Sequence, residues 1–312
     1  MILLIQYTLL FAAVLSLVAL GGCFSEHSGV INLGLEGVMV MGALGGALTM
    51  KYMANAPYIA IFFVVLLVAA LSGIAYTVLL GVASINFKAD QTLIGTALNI
   101  LATAAATVVV KAINMAENPD NVSSTVEYLA AKKAFIIRFG KFEFNWFMLV
   151  ALIALIAAHV VLYKTKFGLR LMACGENPQA ADSVGINVYH LRWAGVLISG
   201  FLGGIGGIVY ITAGVSEWKF ESGVAGFGFL SLAVMIFGQW KPKNIGLAAL
   251  LFGFFRALSN VYSGFGFLVA LNIPGTIYNM IPYLISLIVL AFTSKNSRAP
   301  KAEGIPYDKG SR

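Results

Sequence analysis

Charge is scarce in this chain. Only 11% of its 312 residues are Asp, Glu, Lys or Arg, while 60% are hydrophobic. A soluble domain of this length needs more polar surface, so the composition excludes an ordinary globular enzyme and leaves a polytopic membrane protein. Cysteine is nearly absent, with Cys23 in an apolar run and Cys174 in a basic one. Two such residues exclude a disulfide framework and a cysteine-based metal site. His27, His159 and His190 stand singly and read as packed or interfacial residues. No G-x-x-x-x-G-K-[ST] segment occurs, so the chain has no P-loop with which to hydrolyse ATP. H-E-x-x-H and G-x-S-x-G are missing too. The net charge of +7 is spread over connections and the chain end. It forms no basic stripe with interleaved aromatics, which excludes nucleic acid as a partner.

What the chain has is long apolar runs. Residues 1–24 carry no charge and are as long as a spanning helix requires, which reads as a retained span and not a cleaved signal. Further runs occupy 29–50, 57–84, 91–113, 144–163, 193–214, 226–240, 245–262 and 277–293. The expected fold is an all-α transmembrane bundle of about 8–10 membrane segments, some of them broken. Residues 226–240 are short for a full span and suggest a broken or re-entrant helix packed against protein. Residues 1–293 form the membrane domain, and 294–312 form a polar tail with Lys295, Arg298, Lys301, Lys309 and Arg312. The insertion 114–143 balances Glu117, Asp120, Glu127 and Glu143 against Lys132, Lys133, Arg138 and Lys141, and is placed outside the cell. The basic loop 164–192 and the tail are placed in the cytoplasm by their Lys and Arg excess. Near the N-terminus the count stays open. Eight spans would put Met1 outside, whereas a broken segment within 25–50 would allow it inside.

Within 164–192 lies a small helix with explicit ends. Asn177 suits the N-cap, and Pro178 suits the first helical position, where its missing N–H has no intrahelical partner anyway. Gly185 fits the C′ site, which favours a residue tolerant of positive φ. Such an element reads either as an ordinary solvated connection or as a rigid knob that docks on a soluble partner.

Ser28-Gly29-Val30 with Gly34 and Val40-Met41 matches Ser222-Gly223-Val224 with Gly228 and Val234-Met235 at identical spacing. On the topology above the two copies run in opposite directions, which is the pattern of an inverted repeat. Gly200/Gly204 and Gly203/Gly207 are pairs four apart that let helix backbones approach closely. Glu36 in a Gly-rich apolar span reads either as a site residue or as a structural group bonding exposed backbone N–H groups of a broken helix. Arg256 poses the same choice. For a translocation pathway the candidates are Asn32, Glu36, Gln91, Thr92, Asn99, Phe227 and Phe229. Amides can hydrogen-bond ribose hydroxyls and base edges, and aromatic faces can stack on a nucleobase.

Gly175-Glu176-Asn177-Pro178-x-Ala180-Ala181-x-x-x-Gly185-Ile186 resembles the cytoplasmic loop of ABC-transporter permeases of the branched-chain amino acid, ribose and nucleoside import superfamily. A second block, Ser25-Glu26-His27-Ser28-Gly29-Val30-Ile31-Asn32-Leu33-Gly34-Leu35-Glu36-Gly37, resembles that family's early Gly-rich signature. The likeness spans nearly the whole chain, and the long form of the early block is most similar to the nucleoside and simple-sugar branch. It implies a non-hydrolysing permease subunit in the bacterial cytoplasmic (inner) membrane, with no cofactor of its own because ATP is held by a partner. It also implies an ABC ATPase that docks on Gly175, Glu176, Asn177, Pro178, Ala180, Ala181, Gly185 and Ile186. Further implied partners are a second related permease chain (a heterodimer first, a homodimer as the alternative) and an external substrate-binding lipoprotein or periplasmic protein. Nucleoside is the first expectation for the solute, then sugar, then branched-chain amino acid. An ion-coupled secondary transporter needs more ionisable groups deep in the spans than Glu36 and Arg256. A membrane-embedded enzyme lacks a catalytic set.

Overall fold

The computed structural model describes residues 2–140, 142–213, 218–266, 274–293 and 298–310. Its helices are α1 (Ile2–His27), α2 (Leu35–Tyr52), α3 (Tyr58–Gly81), α4 (Gln91–Glu117), α5 (Leu129–Lys132), α6 (Trp146–Lys164), α7 (Lys166–Glu176), α8 (Pro178–Ser183), α9 (Val188–Thr212), α10 (Phe227–Phe237), α11 (Pro242–Val261) and α12 (Gly275–Thr293). Among the described residues, seven helical segments are long and apolar enough to cross a membrane. With α2 and α12 they account for the nine apolar runs of the sequence.

Two contacts fix the direction of the bundle. At one face His27, at the end of α1, lies against Gly175 at the end of α7. At the other, the backbone N–H of Glu143 donates to Gln6 Oε1 near the start of α1, at 3.3 Å. The first is called here the Asn177 face and the second the hairpin face. The chain therefore enters α1 from the hairpin face. On the same face Lys51 at the end of α2 pairs with Glu117 at the end of α4, at 2.7 Å.

The core is the packing of α1, α2, α3 and α9, and glycine makes it possible. A Cβ on Gly207 of α9 would collide with the Met39 carbonyl oxygen of α2, and one on Gly42 of α2 with the backbone of Gly204. These helices touch backbone to backbone, as small residues four apart allow. By contrast α4 keeps Leu93, Ile100, Leu101 and Val108 exposed. Such a face needs lipid or protein to cover it.

Two local departures from the sequence reading have simple causes. The insertion 114–143 is not only loop. Ile136–Phe139 (β1) and Phe142–Asn145 (β2) form an antiparallel hairpin, with Arg138 opposite Glu143 at 3.0 Å. Their alternation of apolar and charged residues is the period of a strand. The basic loop 164–192 is mostly helical, because Thr165 caps Gly168 N and starts α7, whose Leu171 and Cys174 are buried. The many bases hid that amphipathic pattern.

Candidate functional site

Two helix N-termini meet inside the bundle. From that junction α2 runs to the hairpin face, and α10 runs to the Asn177 face, where Trp240 donates through Nε1 to Glu26 Oε2. The two Ser-Gly-Val copies lead into these two helices, which point in opposite directions. A backbone broken within the membrane must have its N–H and C=O groups satisfied by protein. Glu36 does this for α10: Oε1 accepts from Gly226 N and Oε2 from Gly228 N, both at 2.7 Å. Gly226 has φ +77°, and a Cβ at position 228 would sit 2.5 Å from Glu36 N. Glycine is thus required for the two helix starts to touch. Asn99 does the same for α2, accepting from Gly37 N through Oδ1 at 2.8 Å and donating to Leu33 O at 2.9 Å.

Beside this junction runs a groove of ≈ 810 Å³, lined by Glu36, Thr96, Asn99, Thr103, Thr107, Ser222, Gly223 and Phe229 among others. Thr96, Asn99, Thr103 and Thr107 follow the helical repeat on one face of α4. Phe229 is 49% exposed and lines the groove. Glu221 lies at the edge and pairs with Lys111 at 2.6 Å.

Of the seven candidate pathway residues, Glu36, Asn99 and Phe229 line this groove together. The other four do not. Asn32 is buried and donates to Ser199 Oγ at 2.8 Å, and Gln91 accepts from Ile31 N at 2.7 Å. Both hold the irregular segment 28–34 in place. Phe227 is buried against Phe11 and Tyr210 under the Arg256 guanidinium. Thr92 is exposed at the first turn of α4, outside the groove. The sequence reads these amides as ligand-binding groups, yet Gln91 and Asn99 bond backbone groups of the broken span and Asn32 bonds the Ser199 hydroxyl. Thr96, Thr103 and Thr107 of α4 are not among the sequence candidates, although their i, i+7 and i+11 spacing is visible there. Arg256 rests on the Phe227 and Phe11 rings, so its partners among the described residues include aromatic faces rather than Glu36.

At the Asn177 face, α8 has the ends read from the sequence. Asn177 Oδ1 accepts from Ala180 N at 3.0 Å, Pro178 is in the first turn, and Gly185 has φ +82°. Glu176, Asn177, Ala180 and Gly185 are exposed, and Ile186 is half-buried. Gly175, Pro178 and Ala181 are buried; Ala181 packs with Cys174, Val188 and Tyr307 in a small core of its own. Those three support the knob from behind, and its outer surface is made by Gln179, Ala180, Ser183 and Val184. Burial pushes the Cys174 thiol up to about 11, so it is a packing group.

The tail folds back across this knob. Ala302 N donates to Gly175 O at 2.8 Å, and Arg192, 1% exposed, donates through Nη1 to Ile305 O at 2.9 Å. Lys88 pairs with Asp308 at 3.0 Å, each drawing the other's ionisation toward the charged form.

Residues 4–291 match the family described as branched-chain amino acid transport system / permease component. The guanosine ABC transporter permease protein NupQ of Bacillus subtilis is 39% identical over 311 residues, covering 98% of this chain and 96% of that one. The nucleoside ABC transporter permease protein NupC of Lactococcus lactis is 40% identical over 310 residues, covering 96% and 95%. A solved metal-chelate-type ABC transporter in an inward-facing conformation shares the fold, with a TM-score of 0.52 at 16% identity over 93% of this chain and 85% of that one. With its paired helix starts, threonine-lined groove and surface knob, the chain belongs to this branched-chain amino acid transport permease family of ABC transporters.

Proposed function

We propose that this ABC transporter permease conducts nucleosides along the groove between α4 and the α2–α10 junction. The observation that carries this reading is the combination in one opening of the hydroxyls of Thr96, Thr103 and Thr107 with the exposed ring of Phe229. Hydroxyls suit a ribose, and an aromatic face suits a base. The nucleoside permeases among its relatives support the same solute. The open side of the groove and the exposed apolar face of α4 suit a second permease chain. The Asn177 face is cytoplasmic in this reading, and an ABC ATPase bears on Gln179, Ala180, Ser183 and Val184. An external binding protein delivers the solute at the hairpin face. A sugar would use the hydroxyls but leave Phe229 without a base to stack on.

The test is uptake of radiolabelled guanosine by cells that lack the gene and carry it back as wild type or as Thr103→Trp. The indole fills the groove from a half-buried position, so uptake falls at least about tenfold, equivalent to about 1.4 kcal/mol, while the membrane level of the protein is unchanged. Full uptake by that variant would place the pathway elsewhere.

A further inference from the structure

We infer that Glu36 sets the charge selectivity of the groove by filling an anion site that the fold itself creates. The inference rests on the groove being the pathway. Each helix N-terminus carries the equivalent of about half a positive charge, and here the starts of α2 and α10 converge on one point. Two such ends aimed at an open cavity would attract a carboxylate, sulfate or phosphate. Glu36 takes that place. Its two oxygens accept separate N–H groups at 2.7 Å, at the short end of the N–H···O range. A carboxylate set against about two halves of a positive charge leaves such a junction close to neutral.

The other charged residue that lines the groove is matched in the same way. Glu221 is held by Lys111 at 2.6 Å, and the remaining polar lining is hydroxyl and amide: Thr96, Asn99, Thr103, Thr107 and Ser222. A zwitterionic amino acid needs a fixed partner for each of its charges, and both carboxylates here are already engaged. A nucleotide would bring its phosphate against a carboxylate, and no Lys or Arg is among the described residues that line the groove. The solute that fits is uncharged and rich in hydrogen-bonding groups. The carboxylate is therefore a selectivity device as well as a cap.

The test uses the purified full chain with its co-purifying subunits. Thermal melting is followed in sodium sulfate and in sodium chloride at equal ionic strength, for wild type and Glu36→Ala. Removing the carboxylate uncovers the paired helix starts, so sulfate raises the melting temperature of the variant by about 2–4 °C more than that of wild type. Should Glu36→Ala fail to fold, Glu36→Ser leaves room for the ion and retains a small hydroxyl at the junction, and the same gain is expected. Equal sulfate response in wild type and a folded variant overturns the inference. Guanosine uptake by Thr103→Trp, measured in parallel, separates the two claims. Lost uptake with no sulfate gain sinks the charge assignment alone, and full uptake sinks the pathway reading.

Discussion

Ala180 and Ala181 are neighbours in sequence and opposites in role. Ala181 is 3% exposed and packed against Cys174 and Val188, whereas Ala180 and Val184 face outward, the latter 73% exposed. An arginine at 181 would force a charge into a small apolar core, at a cost of several kcal/mol by the general penalty for burying an unpaired ion. Ala180→Arg with Val184→Arg changes only the outer surface. The expected result is a folded permease that loses guanosine uptake and no longer retains an ATPase in a pull-down. Unchanged uptake and retention would show that α8 is not the docking surface. Removing the cap by Asn177→Ala strips the acceptor from Ala180 N, at a cost of about 1 kcal/mol.

At the scale of elements, α9 and α2 cross with no room for a side chain. Gly207→Ala places a methyl against the Met39 carbonyl, a backbone group that moves only with its helix. Overpacking of this kind costs about 1–3 kcal/mol. A melting temperature that falls for Gly207→Ala but not for Gly266→Ala, where a Cβ would meet nothing within 4 Å, would confirm that the crossing is filled. The matched Ser-Gly-Val segments acquire a physical meaning at this scale as well. Each precedes a helix that starts inside the bundle, and the two starts brace one another through Glu36.

Across the whole molecule the tail ties distant parts together. Its backbone and side chains reach Gln239, Gly175, Arg192 and Lys88, which belong to four different connections or helices. Glu303 in this strap lies beside Glu26, and burial pushes its carboxyl above the ordinary value of 4.5, with the bond to Glu26 opposing. The docked tail binds the proton more tightly than a free one. Its contribution is fully present below about pH 4.5 and is lost as pH rises through the higher docked value. Hydrogen exchange at Ala302 N, corrected for the intrinsic rate, should therefore quicken with pH in wild type. The dependence should flatten in Glu303→Gln. A wild-type profile that is flat, or that slows with rising pH, contradicts the assignment.

The length of apolar runs determined the spans, and residue identity over short stretches determined the ends of α8 and the likeness to the family. Spanning needs an apolar run of fixed length, and a helix cap is a contact between near neighbours. The faces of the helices were decided only by tertiary structure. Whether Asn99 or Asn32 meets a solute depends on which group more than sixty residues away in the chain takes its amide first, the Leu33 carbonyl for one and the Ser199 hydroxyl for the other. Glu36 is the same case: its two oxygens are claimed by N–H groups about 190 residues distant, and only the folding of α10 onto α2 brings them together.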